Sequence, residues 1–149
     1  MAEETVGELA TFMPTPSGLL NVSSLYRGSA LGDERFSLLV KHCLHRGNVE
    51  SFHVDGGEVT SLSAPIIEKL VSYMPNLSVL HLTENKLGDV GVGNLVSALA
   101  SNTTLRSVDL SNNGITDIGA ISLATVLCKN KSIRSLTLSA AGPVIASPN

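Results

Sequence analysis

Residues 105–127 read LRSVDLSNNGITDIGAISLATVL, and this stretch divides into three parts. Leu105, Val108 and Leu110 are apolar, while Ser107, Asp109 and Ser111 are polar. From 107 to 111 the two kinds alternate, as a half-buried strand requires. Asn112, Asn113 and Gly114 then signal a turn. Ile115 returns to the core. After Gly119 come Ile121, Leu123, Ala124, Val126 and Leu127, whose spacing predicts a core-facing helix. The unit is strand, turn, helix.

The unit repeats. Val49, Leu77, Leu105 and Ile133 stand 28 residues apart, as do Phe52, Leu80, Val108 and Leu136, and Val54, Leu82, Leu110 and Leu138. A fixed step of this size predicts an array of stacked supersecondary units. Strands at a constant step, each followed by a crossover helix, form a parallel sheet with helices on its other side.

Two stretches carry a family resemblance. LSVLHLTENKL (77–87) and LRSVDLSNNGI (105–115) fit the pattern L-x-x-L-x-L-x-x-N-x-L, with Val108 and Ile115 as conservative swaps. The chain resembles the leucine-rich repeat family. Its period and helical second half are similar to the ribonuclease-inhibitor-like subclass, which includes tropomodulin-type, Ran GTPase-activating-type and immune-receptor arrays. The resemblance implies an α/β fold: a short right-handed solenoid, or horseshoe segment, with a parallel sheet on the concave side and helices on the convex side. It also implies a surface that binds protein and is not an enzyme.

Asn85 and Asn113 occupy the asparagine position of that pattern. A strand leaving a sheet strips its backbone groups of ladder partners. A buried Asn side chain both donates and accepts, so it can serve such a turn and the neighbouring repeat. These residues are expected to form a structural ladder.

Full repeats are expected at 48–75, 76–103 and 104–131, with a partial one at 132–139. The first of them has Gly57 at the asparagine position, and Pro65 suits the first turn of its helix PIIEKLVSYM (65–74). Residues 18–47 read as a degenerate capping repeat: LGDERFSLLVKHCLHRG (31–47) is similar to LGDVGVGNLVSALAS (87–101). Its strand is weakly marked, because Leu20 and Leu25 need a shift of one residue to join the step. Residues 1–17 are expected to form a flexible arm and 140–149 a disordered tail.

The strand at 133–138 has no helix after it, so its edge invites pairing. Either the chain is a fragment of a longer array or a partner covers the edge, since the tail is too short and too poor in apolar residues to fold back over it; self-association through 134–138 is expected of a bare edge.

Net charge is −3 and 43% of residues are apolar, which predicts one globular domain. No apolar run approaches the ~18 residues of a membrane span. Glu3, Glu4 and Glu8 lie where leader peptides need bases, and two cysteines make no disulfide framework. Cytoplasmic or nuclear residence is therefore expected, with no membrane partner. The sequons at Asn21, Asn76 and Asn102 then carry no meaning.

No catalytic, cofactor or metal site is expected. His42, Cys43 and His45 cluster, but Cys43 shares a core register with Val71, Leu99 and Leu127. His53, His81 and Asp109 form a column that lacks a nucleophile and a fourth ligand. Lys129, Lys131 and Arg134 make a loose basic edge, and nucleic acid is not an expected partner.

What remains is a protein partner of unknown identity. The face expected to bind it is the concave one, whose outward positions are Ser51, His53, Asp55, Val79, His81, Thr83, Ser107, Asp109, Ser111, Ser135 and Thr137, continued by Ser139. Glu58, Glu84 and Lys86 lie on adjoining loops. One alternative is a structural subunit that docks into a cytoskeletal or ribonucleoprotein assembly, through the helical face (Glu68, Lys69, Ser72) or the end strand. Another is a regulator of an enzyme such as a small GTPase.

Overall fold

A computed structural model describes residues 18–21 and 31–140. The expected arm (1–17), residues 22–30 of the capping repeat and residues 141–149 of the tail lie outside the described residues. The elements run β1 (Leu19–Asn21), α1 (Gly32–Arg46), β2 (Ser51–His53), a 3₁₀ turn (Ser61–Ser63) leading into α2 (Ala64–Tyr73), β3 (Val79–His81), α3 (Gly88–Ser101), β4 (Ser107–Asp109), α4 (Asp117–Lys129) and β5 (Ser135–Thr137). The strands form one parallel sheet in chain order.

The step of 28 governs four of the five strands: Ser51 lies opposite Val79, Val79 opposite Ser107, and Ser107 opposite Ser135. β1 departs from it. Leu20 sits opposite Phe52, an offset of 32, and not in the one-residue shift read from the sequence. Leu25 lies outside the described residues. The helical register is nonetheless kept, because Cys43, Val71 and Leu99 are all buried. The four additional residues fall between β1 and α1, where a connection tolerates insertion without disturbing ladder or core.

Strands β2, β3 and β4 send their central side chains inward. Phe52, Leu80 and Val108 meet Phe36, Leu39, Ile67, Leu70, Leu95 and Leu99 from the helices in one continuous core. Phe36 and Phe52 pack edge to face, with centroids 6.0 Å apart. Burying side chains of this size contributes about 1.5–3 kcal/mol each before entropy is counted.

Two devices tie one repeat to the next. The first is the asparagine ladder. Asn85 accepts from the Val59 N–H and donates to the Val54, Leu82 and Thr83 carbonyls. Asn113 accepts from the Leu87 N–H and donates to the Leu82, Leu110 and Ser111 carbonyls. Each thus serves its own turn and the turn before it. Gly57 holds no rung, and a Cβ there would lie 2.9 Å from Val54 Cγ1.

The second device was not read from the sequence. Thr60 and Thr116 cap the helical segments that follow them, accepting from the Leu62 and Ile118 N–H groups. Their own N–H and hydroxyl groups donate to Asp33 and Asp89 of the preceding repeat. Ser63 and the Gly119 N–H complete the two clamps. Burial raises the Asp33 pKa, but the bonds from Ser63 and Thr60 outweigh it and hold the carboxyl below its ordinary value. A second pair of asparagines does similar work at the other end of the helices. Asn102 donates to the Val71 carbonyl and Asn130 to those of Leu99 and Asn102, while each accepts from two N–H groups that follow it.

The C-terminal end differs from its register equivalents. Leu127 is 43% exposed, whereas Leu99 and Val71 are 1%. Ile133, Leu136 and Leu138 are only partly buried. The cause is the stack itself: a core position in a repeat is closed by the next repeat, and no described residue closes this one. Ile121, placed in the core by its spacing, is 68% exposed and sits in the outward column of Pro65 and Gly93.

Candidate protein-binding face

Alternation along each strand places one residue inward and its neighbours on the helix-free face of the sheet. The parallel register then aligns those neighbours into columns. His53 lies opposite His81, His81 opposite Asp109, and Asp109 opposite Thr137. Ser51, Val79, Ser107 and Ser135 form the column beside it. At the strand ends Asp55 accepts from the Thr83 hydroxyl.

The face is half-open, with most of its side chains part-buried by their neighbours. The His53 and His81 rings stand 4.5 Å apart with a 55° tilt. Burial, then His81, lowers the His53 pKa below its ordinary 6.5, and Asp55 opposes the shift. His81 Nε2 is 3.4 Å from the Ser107 hydroxyl, so the column does not close into a His–Asp pair. Asp109 accepts from the Ser111 N–H at 2.9 Å.

One expected surface residue is not on the surface. Ser111 is 8% exposed and lies in the turn that Asn113 ties down, since its carbonyl accepts from that side chain. Ser135 and Ser139, by contrast, are exposed at the end of the sheet. On the adjoining loops Glu58 and Glu84 adopt left-handed backbone (φ 55°), and Lys86 pairs with Glu58 at 3.0 Å. Both partners of that pair are exposed, so it adds little stability. Glu68, Lys69 and Ser72 are exposed on the helical side.

Cys43 is buried, which pushes its thiol up to about 12. Among the described residues, no group of three His, Cys, Asp or Glu side chains is placed to hold a metal ion. No described helix is long and apolar enough to cross a membrane.

The family model described as Leucine Rich repeat matches residues 73–96 and 101–124. No curated protein matches the chain in sequence. Among solved structures, one titled Leiomodin-1 Actin-Binding Site 2 is similar, with a TM-score of 0.74 and 17% identity over 93% of this chain and 79% of that one. A tropomodulin C-terminal domain from Caenorhabditis elegans is similar with a TM-score of 0.71 and 17% identity, over 95% of this chain and 84% of that one. At such identity the likeness speaks to the fold.

Proposed function

Because this chain belongs to the leucine-rich repeat family, we propose that it is a non-enzymatic protein-interaction module that takes its partner on the concave face of the sheet. The observation that carries this reading is the register. It aligns His53, His81 and Asp109 into one polar column with Ser51, Val79 and Ser107 beside it. Ser111 is left out of the face, and Asp55, Thr83, Ser135 and Thr137 frame it. The face holds no Trp or Tyr and no Arg, the side chains on which tight contacts usually centre, so a weak or composite interface is expected. One similar structure is titled as an actin-binding site, which makes actin the first partner to test. Two free cysteines fit a reducing compartment, cytoplasm or nucleus.

The test is co-sedimentation with filamentous actin. His81→Glu places an acid opposite Asp109 on the adjacent strand and changes what the partner meets. It is expected to weaken binding about tenfold at a temperature where circular dichroism shows the variant still folded, while Lys69→Glu on the helical side leaves binding intact. Loss with Lys69→Glu and not with His81→Glu would move the site to the convex face. Actin that ignores the parent protein would remove actin as the partner.

A second reading has its own observation. Leu127, Ile133, Leu136 and Leu138 form an incompletely covered end beside the edge strand β5. This favours self-association, or docking into an assembly, through residues 134–138. Light scattering across a concentration series tests it. Ser135→Lys with Ser139→Lys, both at exposed positions, should restore a monomer.

A further inference from the structure

The strands enter the sheet from the edge opposite the asparagine turns, and this edge carries a second surface. A groove of about 330 Å³ lies between the ends of α3 and α4 and the starts of β4 and β5. Arg106, Lys129, Lys131 and Arg134 line it, together with Ser101 and Ser132. Four of the chain's ten Lys and Arg residues thus meet in one place, on a chain of net charge −3, and no acid lines the groove.

The ordinary explanation for bases at this edge is that they serve helix C-termini. Here that explanation does not hold: the end of α3 is already served, and neither Lys129 nor Lys131 bonds a described carbonyl of α4. The last carbonyls of α3 accept from the Ser101 hydroxyl, the Asn102 N–H and the Asn130 side chain. Nor are the charges neutralised: the one described ion pair is Lys86 with Glu58, far along the sheet. Arg106 is held in place by the Thr103, Leu105 and Ser132 carbonyls, all through Nη1, and its Nε and Nη2 make no described bond. Lys129, Lys131 and Arg134 make no side-chain bond among the described residues.

The geometry points to a docking groove for a short acidic segment of a partner protein, whose carboxylates meet Arg106, Lys129, Lys131 and Arg134. This goes beyond the concave-face reading and uses a different edge of the molecule. Charge complementarity selects the occupant. The basic area is small and set in an acidic chain, so a long polyanion or an anionic membrane meets repulsion beyond it. No aromatic side chain lines the groove to stack on a base.

The experiment is fluorescence anisotropy with the full chain and a labelled peptide of six aspartates at low salt. Binding is expected, and is expected to weaken as salt rises. Lys131→Glu with Arg134→Glu, two exposed side chains outside the hydrogen-bond network, should weaken it about tenfold with an unchanged melting point. His81→Glu should leave it unaltered, which separates this groove from the concave face. No binding by the parent would overturn the proposal, as would equal binding by the double variant. Tighter binding of phosphatidylserine vesicles or a thymidine oligonucleotide than of the peptide would reassign the groove to phosphate.

Discussion

Asn113 carries four hydrogen bonds with one side chain: it accepts from the Leu87 N–H and donates to three carbonyls, of which those of Leu82 and Ser111 also accept from the Asn85 side chain and the Glu84 N–H. Alanine there leaves two turns with buried, unserved groups. Asn113→Ala is expected to destabilise the chain by about 1–3 kcal/mol, read by urea unfolding. Binding to any partner should fall only in step with the folded fraction. A variant that unfolds like the parent but no longer binds would make Asn113 a contact residue. His53 offers a test of a different kind. Its folded-state pKa is lowered, so the unfolded chain holds that proton more tightly. The contribution of His53 is complete above its ordinary value of 6.5, is lost as pH falls below it, and stops changing once the lowered pKa is passed. The melting temperature should drop on going from about pH 7 to 5, and His53→Gln should flatten part of that drop. A His53 proton-NMR midpoint at or above 6.5 would contradict the burial assigned to it.

Helix α4 starts in a way that inverts a common rule. Replacing a helical glycine by alanine usually stabilises, by up to about 1 kcal/mol. Gly119 is an exception, because a Cβ there would lie 2.7 Å from Ile115 Cγ2 and closer still to Asp89 Oδ1. It would push away the carboxylate that accepts from the Thr116 and Gly119 N–H groups. Gly119→Ala is therefore expected to lower the melting temperature, and a rise would mean the clamp contributes nothing. The clamp also marks what could be read from the residues alone. Apolar spacing and the step of 28 made the parallel strands and the helices between them legible, because burial imposes the same pattern on every copy. Asp33 and Asp89 stand two steps apart with Ser61 between them, so the shared Leu-Gly-Asp of 31–33 and 87–89 was the available signal, and the repeat between them lacks it. Asn102 and Asn130 do stand one step apart, and that spacing was the available signal, but the two preceding members of the column are Arg46 and Met74. The register of β1 was hidden by the longer connection after it. On the sheet face, alternation indicated which side chains point away from the helices. It could not indicate that Ser111 is buried in its own turn, since that depends on Asn113 folding over it.

The molecule as a whole is a line. Exposure of Leu127 came from this: burial in a stack depends on the next unit along, and a local pattern does not contain that unit. The same linearity shows in the hydrogen bonds. Every described side-chain bond between repeats joins residues 26 to 31 apart in sequence. No such bond ties the first repeat to the last. Stretched between its two ends in an optical trap, the chain has no shared clasp that must break first. It should open like a zip, beginning where β5 is held by a single neighbour. Each released unit of 28 residues adds about 90–100 Å of slack, so the force trace should be a short staircase of equal treads, with one abrupt rip as the result that would refute it.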